Sequence, residues 1–87
     1  MSMFSGSKPA YYITSPNGKH TAVVMRRFFT AADHAVYPSL GKLLYRRGEG
    51  FWLCEGFEPP DASIFVWLGE NTLQFEDIYG ETQTIQF

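Results

Sequence analysis

The chain has 87 residues, 45% of them hydrophobic and 17% aromatic, with a formal net charge of −2 and a single cysteine. That length suits one domain burying roughly two-thirds of its unfolded surface, the lone Cys54 excludes an intrachain disulfide, and no apolar run approaches the roughly 18 residues of a membrane-spanning helix. A sequence pI of about 5.5 also weighs against a nucleic-acid-binding role.

Eight Phe, five Tyr and two Trp supply the dense packing a small core needs, since each aromatic ring buries about 150 to 250 Å². Charge is unevenly spread along the chain. Every basic residue (Lys8, Lys19, Arg26, Arg27, Lys42, Arg46, Arg47) lies at or before position 47, where Asp33 is the only acid. The acids that follow meet no base. Strands from the two parts that interleave would bring these charges together; strands that do not would leave a dipolar surface suited to self-association.

Residues 1–9 have the composition of a tail, and residues 10–87 read as one all-β domain. The first segment lacks the charged start and apolar centre of a secretory signal, so a cytoplasmic location is the default expectation. Over 10–29, Ser15-Pro16-Asn17-Gly18-Lys19 predicts a hairpin with a three-residue loop, Gly18 taking the left-handed position. That loop sets Thr14 opposite His20, Ile13 opposite Thr21, Tyr12 opposite Ala22 and Tyr11 opposite Val23. Tyr11, Ile13, Val23 and Met25 would then share the core face.

Thr30-Ala31-Ala32-Asp33 resembles a capping box, which predicts one short helix over 30–36 ended by Pro38. Residues 42–57 read as a second hairpin about Gly48-Glu49-Gly50, with Leu44 facing Leu53 and Arg46 facing Phe51. Glu58-Pro59-Pro60-Asp61 cannot donate ladder hydrogen bonds at its prolines and belongs at an edge.

Ser63-Ile64-Phe65-Val66-Trp67-Leu68 is apolar at five successive positions, so it predicts a central strand covered on both faces. Gly69-Glu70-Asn71 turns it into Thr72-Leu73-Gln74-Phe75. A loop of Tyr79-Gly80-Glu81 then sets Phe75 opposite Ile85 and Leu73 opposite Phe87, keeping polar groups out of the core. The sum is an all-β fold, an antiparallel meander or small sandwich or open barrel of about six to seven strands with one short helix.

Few residues carry a chemical signal. His20 and His34 have no ligand at metal spacing, and read as a solvated strand-end and a helix-surface histidine. Cys54 lies in an apolar run and reads as a buried, inert thiol; a nucleophilic pair with either histidine ranks last, because no glycine elbow or helix start would activate it. Adjacent Glu76 and Asp77 point to opposite faces of a strand, the wrong geometry for paired carboxylates. No catalytic, metal or cofactor residue is expected.

The strongest candidate surface is Arg26, Arg27, Tyr45, Arg46, Arg47 and Trp52, where basic residues neighbour aromatics as in binders of single-stranded nucleic acid. Conversely, the acids of the later part, gathered on one face, would mimic nucleic acid, as small phage inhibitors do.

Ser15-Pro16-Asn17-Gly18-Lys19 ahead of Thr21-Ala22-Val23-Val24, and Ile64-Phe65-Val66-Trp67-Leu68 ahead of Glu70-Asn71-Thr72-Leu73, resemble the paired turn-and-strand motifs of small, largely uncharacterised bacterial β domains and of single propeller blades. The resemblance implies an all-β fold and carries over no site residue. Members of the first group are often exported or lipid-anchored; this chain shows neither a signal nor an anchor cysteine at its start. The expected function is that of a small non-enzymatic protein-binding or regulatory module, bacterial or from a phage, that forms a homo-oligomer. The alternatives are a nucleic-acid-binding β domain, an acidic nucleic-acid mimic and, least, a small enzyme.

Overall fold

A computed structural model of the chain describes residues 7–28, 32–39 and 50–87. Among these, seven strands form two antiparallel sheets. The four-stranded sheet follows chain order, β1 (Ser7–Thr14), β2 (Thr21–Phe28), β3 (Ala32–Pro38) and β4 (Phe51–Glu55). The three-stranded sheet does the same with β5 (Val66–Trp67), β6 (Thr72–Glu76) and β7 (Thr82–Gln86). The all-β expectation holds, in its sandwich form. No helix among the described residues is long and apolar enough to cross a membrane.

β1 starts at Ser7, ahead of the predicted start at Ala10, and its turn is longer than predicted. Gly18 N–H donates to the Ser15 carbonyl (2.9 Å) with Gly18 at φ 76°, and Ser15 N–H donates to the His20 carbonyl (2.8 Å). Side chains satisfy what the longer loop would otherwise leave unpaired: Asn17 Oδ1 accepts from Lys19 N–H (3.0 Å) and Ser15 Oγ accepts from His20 N–H (3.2 Å). The pairing therefore slips by one residue, setting Tyr11 against Val24, Tyr12 against Val23 and Ile13 against Ala22. A one-residue slip exchanges faces. Tyr11 and Ile13 pack with Ala22 and Val24 in the main core, while Val23 and Met25 lie on the opposite face with Ala35 and Tyr37.

The short helix expected over 30–36 is overturned where the chain is described, because residues 32–38 are strand β3. Seven of its positions pair with β2, from Phe28 opposite Ala32 to Ala22 opposite Pro38, and its other edge pairs with β4. A helix there would leave two buried strand edges unpaired, and that loss outweighs the modest helix preference of Ala-Asp-His-Ala. The predicted Leu44–Leu53 and Arg46–Phe51 pairings fall outside the described residues. β4 itself lies as expected and is entered through Gly50, where any Cβ would overlap the Tyr37 ring.

The run 63–68 is not a central strand. Asp61 caps a 3-10 turn at Ala62–Ile64 by accepting from Ser63 N–H (2.9 Å). Only Val66 and Trp67 then continue as strand, at the edge of the smaller sheet. Phe65 and Trp67 face the core while Val66 and Leu68 are each 48% exposed. The strands covered on both faces are β2, buried from Ala22 through Met25, and β3.

The β6–β7 turn has the predicted length one residue early, at Ile78-Tyr79-Gly80. Asp77 N–H donates to the Glu81 carbonyl (2.9 Å), and the Asp77 carboxylate accepts from Tyr79 N–H (2.9 Å), Glu81 N–H (3.0 Å) and Gln83 Nε2 (2.9 Å). Leu73 therefore pairs with Ile85 and Phe75 with Gln83, so the expected partners move by two residues and the faces survive.

Ala22, Val24, Val36 and Leu53 of the larger sheet pack on Leu73, Phe75 and Ile85 of the smaller. Phe51 meets Phe75 edge-on at 5.3 Å and Phe65 meets it at 5.6 Å. Ile78 N–H donates to the Trp52 carbonyl (2.9 Å), joining the sheets through the backbone. Leu73, with no exposed surface, should lose about 2 to 5 kcal/mol of stability as Leu73→Ala. Leu68→Ala, at the exposed edge, should lose under about 1 kcal/mol. Urea denaturation of both variants measures the contrast; equal losses would contradict this placement of the core.

Candidate functional site

Successive residues on a strand point to opposite faces, and β2 divides the predicted basic surface in this way. Arg27 shares its face with Asp33, directly opposite on β3. Its Nε lies 2.7 Å from Asp33 Oδ1, its Nη2 2.9 Å from Oδ2, and its Nη1 donates to the Tyr37 hydroxyl at 3.1 Å. The bond to Asp33 raises the Arg27 pKa against the opposing effect of burial. Its guanidinium is committed to the fold.

Arg26 is on the sandwich side, opposite His34, and its Nε is buried with no hydrogen-bond partner. Trp52, on β4, is half-buried, with Tyr79 edge-on at 6.2 Å and its indole N–H unpartnered. Tyr45, Arg46 and Arg47 lie outside the described residues. The expected meeting of early bases with late acids is not what this ion pair shows, because Arg27 and Asp33 both belong to the basic part of the chain.

The fold does assemble one group of chemically active side chains. His34, expected on a helix surface, is wholly buried on β3. Its neighbour across the ladder is Cys54, with Sγ 3.9 Å from His34 Nδ1 and 4.0 Å from the Glu58 carbonyl. A register shift in the ladder between His34 and Ala35 puts Cys54 directly opposite His34. Tyr11 closes the group from β1, its hydroxyl donating to the Pro60 carbonyl at 2.6 Å. His20 is elsewhere, stacked on Phe87 at 5.4 Å.

The electrostatics of the group favour neutral forms. Burial, with Asp33 adding, pushes the Cys54 thiol up, and burial, with the Arg26 charge adding, pushes His34 down. Burial first, then Cys54 and Asp61, raises Tyr11 to about 12. A nucleophilic cysteine needs the reverse arrangement, a thiolate stabilised beside an imidazolium. No set of three or more His, Cys, Asp or Glu side chains suited to a metal ion occurs among the described residues.

His34 is buried because residues 32–38 form a strand where the local sequence predicts a helix. The alternation Asp33-His34-Ala35, taken as a strand, is the signal that would have separated Asp33 from His34 by face.

Two outcomes follow. The unfolded chain protonates His34 as pH falls through 6.5, the folded chain only at lower pH. Stability conferred by the neutral imidazole is thus present above pH 6.5 and lost as pH falls below it, at a slope of at most about 1.4 kcal/mol per pH unit. Denaturation series at several pH values should show that slope reduced in His34→Gln. Alkylation of Cys54 should follow a pH–rate midpoint above that of a free cysteine, and a midpoint near neutrality would instead mark an activated thiol. No protein-family model, curated protein or solved structure matches this chain.

Proposed function

We propose that the chain is a small non-catalytic protein-binding module that self-associates through the outer face of its three-stranded sheet. The observation that carries this reading is the exposure of Val66 and Leu68 on that face. Pairing aligns Val66 with Gln74 and Thr84, and Leu68 with Thr72 and Gln86, in two rows without charge. Sheet edges and faces exposed to water are ordinarily guarded by charged side chains, above all lysine; neither of these rows carries one, the acids adjoining them being Glu70 in the turn and Glu76 at the end of β6.

Face packing suits the surface better than strand addition, because β5 offers only two residues of ladder. Strands of two, five and five residues present roughly 190 Å², against about 800 Å² per partner in a standard stable interface. The association is accordingly weak and concentration-dependent. The neutral thiol–imidazole pair supports the non-catalytic part of the reading. A nucleic-acid role through Arg26 and Arg27 draws no support from a guanidinium already held by Asp33 and Tyr37.

Sedimentation equilibrium should show a monomer–dimer exchange at micromolar to millimolar chain concentrations. Val66→Lys with Leu68→Lys should shift it to monomer without loss of fold. A monomer at every concentration, or a dimer indifferent to both substitutions, would overturn the reading.

A further inference from the structure

One row of side chains crosses the whole four-stranded sheet on its sandwich side. Lys8 on β1 pairs with Arg26 on β2, Arg26 with His34 on β3, and His34 with Cys54 on β4. Directly opposite residues hold their Cβ atoms about 4.5 to 5.5 Å apart on one face. The row therefore forms a continuous polar line at the margin of the core. The apolar line beside it is Tyr11, Val24, Val36 and Phe51.

Two buried nitrogens in adjacent positions of this row have no hydrogen-bond partner, Arg26 Nε and His34 Nε2. His34 has no exposed surface at all. The contrast with Arg27 is informative, since Asp33 accepts from that guanidinium's Nε and Nη2 and the Tyr37 hydroxyl from its Nη1. Among the described residues no carboxylate forms an ion pair with Arg26. Asp33 is bonded to Arg27 on the opposite face, its ladder partner Glu55 is exposed, and Asp61 caps the 3-10 turn. A buried donor is normally paired, and a half-buried cation gains from a compensating charge as well as an acceptor. Water meets the first need alone; an oxyanion meets both.

We propose that Arg26 and His34, with Lys8 exposed at the β1 end of the row and the Cys54 thiol beside the imidazole at its β4 end, form a binding site for a small oxyanion of the phosphate or carboxylate class. Arg26 supplies the charged donor, His34 a second nitrogen from the neighbouring strand, and Lys8, which is exposed, draws the anion in. The site is on the larger sheet and does not depend on the self-association proposed for the smaller one.

The test is an NMR titration of the full chain with sodium phosphate and, separately, sodium acetate, against sodium chloride at matched ionic strength. The His34 ring and Arg26 Nε–H resonances should shift and saturate with phosphate or acetate and not with chloride. Saturation by phosphate alone identifies a phosphate-type ligand, and by acetate alone a carboxylate. Arg26→Gln should weaken the binding about tenfold or more, and Lys8→Gln, at an exposed position, by a smaller factor with the amide spectrum unchanged. Shifts no greater than those with chloride, or binding that survives Arg26→Gln in a folded chain, would overturn the proposal. Should Arg26→Gln fail to fold, Lys8→Gln gives the deciding comparison, and undiminished binding there has the same consequence.

Discussion

The β2–β3 ladder is the constraint from which the remainder of this structure follows. Both strands are hydrogen-bonded along both edges, and both are buried on two faces. A strand in that position cannot slide, because a shift of one residue would exchange Ala22 and Val24 with Val23 and Met25 and mismatch two packed layers at once. β1 and β4 attach outside this pair, and the smaller sheet rests on the face that Val24 and Val36 present. The two clusters of buried residues are the two sides of one ladder.

That same ladder decides the fate of the charges carried by its ends. Arg26 and Arg27 are chemically identical neighbours, yet the pleat sends them to different environments. On one face Asp33 is directly opposite and a two-pronged ion pair results. On the other a buried imidazole is opposite, and burial first, with the guanidinium's charge adding, depresses its basicity. The asymmetry arises because Asp33 and His34 are themselves adjacent and likewise divided by the pleat. A polar row is thereby delivered to the edge of an aromatic core, where low polarity keeps thiol, phenol and imidazole in their neutral forms.

The smaller sheet contributes differently. Its turns are held by their own side chains, Asp77 accepting three hydrogen bonds at one end and Asp61 capping the approach to β5 at the other. Its inner face is aromatic and aliphatic, and closes the core through Phe75. Its outer face bears Thr and Gln, with Glu76 at the end of β6, beside two exposed aliphatic residues, a composition that does not hold a second copy tightly.

Local sequence determined which segments are strands in most of the described chain, where they turn, and that the fold is all-β, because alternation and turn chemistry act within a few residues. Gly18, Gly69 and Gly80 mark turns for that reason, each at positive φ. Tertiary structure alone decided what depends on partners distant in sequence. Residues 32–38 became a strand because two edges required pairing, and β2 rather than the equally apolar run 63–68 became central because it had strands on both sides. The Ser15 and Asn17 side chains, by satisfying an additional loop residue, set a register that turn length by itself did not reveal. The row Lys8, Arg26, His34 and Cys54 was illegible for the same reason: four residues from four strands come into line only after every register has been chosen, and registers are chosen by burial.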